Sequence, residues 1–194
     1  MKNLDEILRR FLRMTGYHYL LLTRLGEGEG EGLTTRRRWG ILCKFPLEER
    51  DLIERDVYMF IMNWINKWRL TEQINDIRNR NGLNSLLRVR FLDNIAWQHA
   101  RYMAKNDKLG HDGFHTRASI IRWKKKEFSS KCVGENCGKC PGQAFNMSVI
   151  GAMVDGWMKS ASHKHAILNP EYQKTGIGCI TDRGHVYIVQ IFVG

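Results

Sequence analysis

The stretch from Val154 to Gly178, VDGWMKSASHKHAILNPEYQKTGIG, constrains the fold more than any other, because a helix, a proline turn and a glycine-spaced strand must follow one another within it. Leading into it, Met147, Ile150, Val154 and Trp157 recur at three- and four-residue steps, the period of a helix that buries one face. That helix is predicted to end near Ser160. A short polar segment then carries His163 and His165, placed so that an imidazole can point into a cleft. Asn169-Pro170 makes a turn, since proline fixes its own φ and disfavours helix in the residue before it. Thr175-Gly176-Ile177-Gly178-Cys179-Ile180 reads as a strand whose glycines allow another backbone to come close.

Upstream, helical spacing dominates. Tyr58, Ile61, Met62, Ile65 and Trp68 predict a helix, long or broken, that Ile74 and Ile77 continue up to Asn81-Gly82, where glycine can close it in a left-handed conformation. Leu92, Ile95, Ala96, His99, Ala100 and Met103 give a nearly unbroken apolar series, preceded by Asp93-Asn94 and ending near Leu109-Gly110. His99 falls on the apolar face, as a core histidine satisfied by hydrogen bonds or, alternatively, as a ligand. The loop Leu109-Gly110-His111-Asp112-Gly113-Phe114-His115 can present His111 to a cleft, with Asp112 or a backbone carbonyl fixing its tautomer. Arg122-Trp123-Lys124-Lys125-Lys126 mixes an aromatic with cations, as phosphate or headgroup contacts do and as a solvated helix face also does.

A chain of 194 residues suits one domain and an extension. We expect residues 1–55 to be a basic N-terminal extension and residues 56–194 the domain. Leu4, Ile7, Leu8, Phe11 and Leu12 form a short amphipathic segment with Arg9, Arg10 and Arg13 on its polar side, suited to packing or to an anionic membrane surface. The Gly/Glu alternation at 26–32 has nothing to bury and reads as a linker, followed by the patch Arg36-Arg37-Arg38. Asp5 and Glu6 interrupt the first residues, and no apolar region with a small-residue cleavage site follows, so no secretory signal is read there. The apolar fraction of 43% is that of a globular protein, and no run approaches the ~20 apolar residues of a membrane span. A net charge of +11 favours anionic partners: an acidic lipid surface, an anionic polymer or nucleic acid. Nucleic acid ranks last, because no recognised motif accompanies the charge.

Cys132, Cys137 and Cys140 form C-x4-C-x2-C, with Cys43 and Cys179 far away in sequence. Two thiolates two residues apart can grip one tetrahedral zinc, and although no fourth ligand is evident in the sequence, Cys179 or a histidine can supply it. Disulfides are the alternative in an oxidising compartment, and free thiols in a reducing one.

Several short pieces now stand in one order: INDIRNRNGL at 74–83, GHDG at 110–113, VGEN at 133–136, DGWMKSASHKHAILNP at 155–170, TGIGC at 175–179 and VYIVQIF at 186–192. This order resembles the SCP/CAP superfamily of cysteine-rich secretory, antigen 5 and pathogenesis-related 1 proteins, in its prokaryotic form, over about the last two-thirds of the chain. The resemblance implies an α/β fold, a three-layer α/β/α sandwich around a small antiparallel sheet. It implies a cleft with two histidines, matched by His111 and His163, and a glutamate matched by Glu135. A second family glutamate does not carry over, because Lys159 or Ser160 stands in its place. His165 is an additional imidazole.

Two imidazoles and one carboxylate suit zinc with an open position, and they equally suit a hydrogen-bonded cleft wall. Glycine and asparagine in VGEN favour special backbone geometry around Glu135. The resemblance implies an extracellular ligand-binding domain for lipid, membrane or protein, more binding module than enzyme, with a divalent metal, zinc, at His111 and His163 as its cofactor. The alternative is a metal-dependent hydrolase using the same cleft.

Overall fold

A computed structural model of the chain describes residues 47–124 and 132–194, with side chains from residue 61 onward. The expectations for the amphipathic start, the Gly/Glu linker, the arginine triplet, Cys43, Lys125 and Lys126 lie outside the described residues. The chain divides after Met62, and the core and site described below belong to the compact unit Asn63–Gly194. In chain order the described elements are α1 (Leu47–Arg80), β1 (Leu87–Arg88), α2 (Arg90–Asn106), α3 (Phe114–Trp123) and β2 (Val133–Pro141), followed by α4 (Met147–Lys159), α5 (Ala161–Ile167), β3 (Lys174–Asp182) and β4 (His185–Val193). None of these helices is long and apolar enough to cross a membrane.

The four strands form one sheet in the order β1-β3-β4-β2. The two long neighbours of β4 run antiparallel to it, while the short edge strand β1 joins β3 in parallel and makes the sheet mixed. β3 and β4 are linked through Arg183 and Gly184, both at positive φ (46° and 74°), the backbone of a tight hairpin that keeps the strand twist.

Strand alternation sorts the core into two layers. On one face Tyr187, Val189, Ile191, Val193 and Cys137 pack against Leu92, Ile95, Ala96, Ala100 and Met103 of α2 and Ile121 of α3. On the other, Ile177, Cys179, Val186, Ile188 and Phe192 meet Leu70 and Ile74 of α1, Val149, Ile150, Met153, Val154 and Trp157 of α4, and Ile167 of α5. This is the three-layer α/β/α sandwich implied by the resemblance, and each fully buried apolar side chain in it contributes about 1.5–3 kcal/mol.

α2 lies unusually deep on the sheet. A Cβ built at Gly178 would come within 2.1 Å of the Trp97 nitrogen and 2.2 Å of the Ala96 carbonyl carbon, and one at Gly176 within 2.2 Å of the Leu92 carbonyl carbon. The glycines of TGIG therefore do what their sequence pattern suggests. Asp93 is not a cap. It sits in the first turn of α2, behind Val89, and its carboxylate accepts from the Ile177 N–H at 2.7 Å and from Arg88 at 2.7–3.1 Å. The helix ends at Asp107 in a left-handed conformation, short of Leu109-Gly110.

α1 is unbroken through Arg80, and Gly82 (φ 73°) follows its end. Near that end the fully buried Arg78 donates to the carbonyls of Asn84, Ile167, Asn169 and Tyr172 at 2.7–3.0 Å. It thereby ties α1 to the Asn169-Pro170 turn, where Asn169 Oδ1 also accepts from the Glu171 N–H at 2.9 Å.

Gly178→Ala should destabilise the domain by about 3 kcal/mol, the upper end for overpacking, because the obstructing atoms are backbone and cannot rotate away. Gly156→Ala in α4, where an added Cβ meets nothing within 4 Å, should instead stabilise by about 0.5–1 kcal/mol. Urea unfolding of both variants checks the pair, and a Gly178→Ala protein as stable as the parent would refute the close approach.

Candidate functional site

β2 is an edge strand, and the site is built across it. Its ladder to β4 carries bonds at Cys132 O, from the Gly194 N–H, and at the Gly142 N–H, to Gly184 O. By alternation, the backbone groups of Val133, Glu135 and Cys137 turn away from β4. The Trp157 indole N–H caps one of them, the Cys137 carbonyl, at 3.1 Å. Over the same edge lies a cleft of about 330 Å³ lined by His111, Phe114, Val133, Gly134, Glu135 and Ala166. Its walls come from the loop after α2, the start of α3, β2 and α5, so both helical layers contribute.

Glu135 organises the polar side. Its side chain is 1% exposed, and both carboxylate oxygens accept from Arg117: Nε to Oε2 at 2.8 Å and Nη2 to Oε1 at 2.7 Å. A carboxylate so deeply buried costs several kcal/mol in desolvation, which this bidentate partner offsets. Arg117 is itself fixed by the Asp112 carbonyl, 2.6 Å from Nη1. Oε1 also lies 3.0 Å from His111 Nδ1 and, since an ionised carboxylate only accepts, Nδ1 carries the proton. In the neutral ring this puts the lone pair on His111 Nε2, on a side chain 49% exposed. The tautomer of His111 is thus set by Glu135 and not by Asp112, whose carboxylate pairs with Lys108 at 2.7 Å.

His163 lies on α5, a second helix and not the polar segment predicted. Ser160 (φ −91°, ψ 125°) breaks α4 and is the residue from which α5 starts, while the residues after it contain no helix breaker. His163 is half-buried and one turn before Ala166 of the cleft wall, and its backbone carbonyl accepts from Asn136 Nδ2 at 3.1 Å. Burial, and then the charge of His111, hold its pKa below the usual histidine value, so the ring is neutral at pH 7. His165 is exposed. VGEN is regular strand and needs no special dihedral: a Cβ at Gly134 would come 2.3 Å from Tyr172 Oη, so the glycine makes room for that ring.

The structure does not bring the three clustered cysteines together. On a strand, residues three apart face opposite ways. Cys137 enters the α2-side core, whereas Cys140 and Cys132 pack against the other cluster. A shared zinc held by Cys132, Cys137 and Cys140 is therefore excluded in this arrangement, and with Cys179 all four are thiols. Cys179 donates to Asn63 Oδ1 at 2.9 Å and burial pushes its pKa up to about 12.

Cys137 has different company. Its Sγ is 3.5 Å from Glu135 Oε1 and 3.6 Å from His111 Nδ1. His99, Glu135 and Cys137 offer ligand atoms within 4.8 Å of one another, a buried group that could hold a metal ion. In the arrangement seen, Arg117 saturates Glu135, and His99 Nε2 bonds the Gly110 carbonyl at 2.8 Å. Burial, and then Glu135, push the Cys137 thiol up, so it is protonated. Arg117 escaped the sequence reading entirely, although a buried glutamate in VGEN requires a cation and the short helix beside GHDG holds one.

Arg117→Met should cost about 3–5 kcal/mol in denaturant unfolding, the effect of stranding a buried charge, and a loss under 1 kcal/mol would show that the pair is solvated. Burial foremost holds the His99 pKa below 6.5. Its contribution to stability is therefore complete above pH 6.5 and declines as pH falls towards the depressed folded value, because the unfolded chain takes up the proton first. His99→Gln should flatten this part of the stability profile; an unchanged profile would exclude His99 as its source.

The profile of the family described as CAP, cysteine-rich secretory protein family, matches residues 71–193, more than half of the chain. The fold is similar to that of an outer surface protein from Borrelia burgdorferi (TM-score 0.55, 22% identity, covering 66% of this chain and 91% of that one). It is also similar to an extracellular protein containing an SCP domain from Bacillus anthracis str. Ames (TM-score 0.51, 23% identity), over 66% of this chain and 40% of the Bacillus protein. These identities show a shared fold. The sequence matches no curated protein. The family profile and the three-layer fold agree: the chain belongs to the CAP, or cysteine-rich secretory protein, family.

Proposed function

We propose that this CAP domain is a binding module whose cleft takes a small ligand or a divalent metal through His111 Nε2 and His163, and that it is not a hydrolase. The observation carrying this reading is the state of Glu135, whose two oxygens are both held by Arg117. A metal-dependent hydrolase with Glu135 as its base would need that carboxylate free to take a proton from water. Here the carboxylate instead orients His111, the arrangement in which an outer carboxylate fixes a ligating histidine. Imidazole nitrogens suit zinc, and His111 and His163, close enough for the charge of one to act on the other, would hold it and leave positions open. The cleft volume lies at the low end of small-molecule sites, about 300–1,000 Å³, and Phe114, Val133 and Ala166 give it an apolar wall. Such a wall suits the apolar part of a lipid or a protein side chain, at a membrane surface or on a partner. An extracellular setting, suggested by the family description, belongs to the same proposal.

Calorimetric titration with Zn²⁺ tests it. The parent protein should bind at neutral pH and lose affinity as pH falls towards ~6, since protonated imidazole cannot ligate. His163→Ala should remove most of the affinity, and Glu135→Gln should weaken it about 10–100-fold, the range for an outer-shell partner. Zinc binding indifferent to His163→Ala would refute the cleft as the metal site.

A further inference from the structure

The buried group His99, Glu135 and Cys137 has the composition of a soft-metal site, two soft or borderline donors and a carboxylate, yet it already contains a cation. Arg117 puts two N–H bonds of 2.7 and 2.8 Å on the carboxylate that a metal ion would need, and is held in turn by the Asp112 carbonyl. We infer that Arg117 is a built-in cation that excludes metal from His99, Glu135 and Cys137, and so confines any bound ion to the imidazoles of the cleft. Arg117 is then the residue that determines metal specificity: with it, the site is nitrogen-only; without it, a thiolate site of different chemistry opens behind His111.

Three features support this. A guanidinium and a divalent cation cannot share one buried carboxylate without strong like-charge repulsion in a low-dielectric interior. Removal of Arg117 leaves a buried anion whose compensation a metal can supply. The thiol already points at the correct oxygen, since Cys137 Sγ is 3.5 Å from Glu135 Oε1. On binding, a bond forms between the metal and the sulfur, and the thiol proton leaves to solvent. Displacement of the guanidinium is not required in the variant, and His99 gives up the Nε2–H bond to the Gly110 carbonyl, its proton passing to Nδ1, so that Nε2 is free to bind the metal.

Co²⁺ is the probe, because ligation by a thiolate gives a sulfur-to-cobalt charge-transfer band that imidazole ligation does not. One equivalent of Co²⁺ should produce no such band in the parent protein, a clear band in Arg117→Gln, and none in Arg117→Gln with Cys137→Ser. Metal should also raise the melting temperature of Arg117→Gln more than that of the parent, since it binds only the folded form of the opened site. If Arg117→Gln folds only when Co²⁺ is added, with the band present, the inference is equally supported. A variant that stays unfolded in saturating Co²⁺, a folded variant without the band, or a parent protein that shows it would each overturn the inference. The inference rests on the cleft reading only for where an ion goes in the parent protein. A parent that binds no Co²⁺ at all would defeat that reading and leave the role of Arg117 intact.

Discussion

Everything near the cleft depends on how closely α2 approaches β3. With no side chain at Gly176 and Gly178, the helix main chain rests almost directly on the strand main chain, and Asp93 completes the contact by accepting from the Ile177 amide. This depth sets where α2 ends. It therefore also sets the positions of His99, of the Gly110 carbonyl that holds it, and of the loop that carries His111. A helix seated on larger side chains would stand off by the thickness of a methyl group or more, and the contacts of His111 and His99 with Glu135, 3.0 and 3.8 Å, could not form together.

Upon this scaffold the site is electrostatically closed. Glu135 brings a full negative charge into the interior. Arg117 answers it with a matched fork, and His111 and the Cys137 thiol approach the oxygen shared with Nη2. Burial keeps His99 and His163 neutral and the thiol of Cys137 protonated. The site then holds one carboxylate and one guanidinium, and His111 Nε2 is what it presents outward. Low dielectric, which makes each member costly alone, makes the set rigid once it is complete.

The architecture was legible where periodicity and backbone chemistry speak directly. The apolar series from Leu92 to Met103 became α2, the tryptophan-bearing repeat became α4, Asn81-Gly82 follows the end of α1, and TGIG became the strand of close approach. His111 and Glu135 could be named because each stands in a short motif, and the structure puts them 3.0 Å apart. Other features were illegible for physical reasons. Seven-residue α5 is too short to show a helical period, so Ser160 read as an end and not as a link between helices. VGENCGKCP contains three polar side chains and two glycines, hence no alternation by which a strand could be recognised, and the facing of its cysteines followed from that oversight. Arg117 looks like any surface arginine until Glu135 is known to be buried. Its role is a property of the tertiary pair and of neither residue alone.

The capping of Cys137 by Trp157 bears on how the molecule meets its own kind. An outermost strand offers a row of outward amides and carbonyls to any other strand that drifts past, which is the start of unwanted sheet extension. Here the indole of α4 takes one of those carbonyls at the middle of β2. An intruding strand would have to displace a fully packed aromatic before it could continue the ladder. The helix that lays down half of the core thus also acts as the border of the sheet, and it does so with a single nitrogen. Phenylalanine at that position would leave the Cys137 carbonyl without its donor.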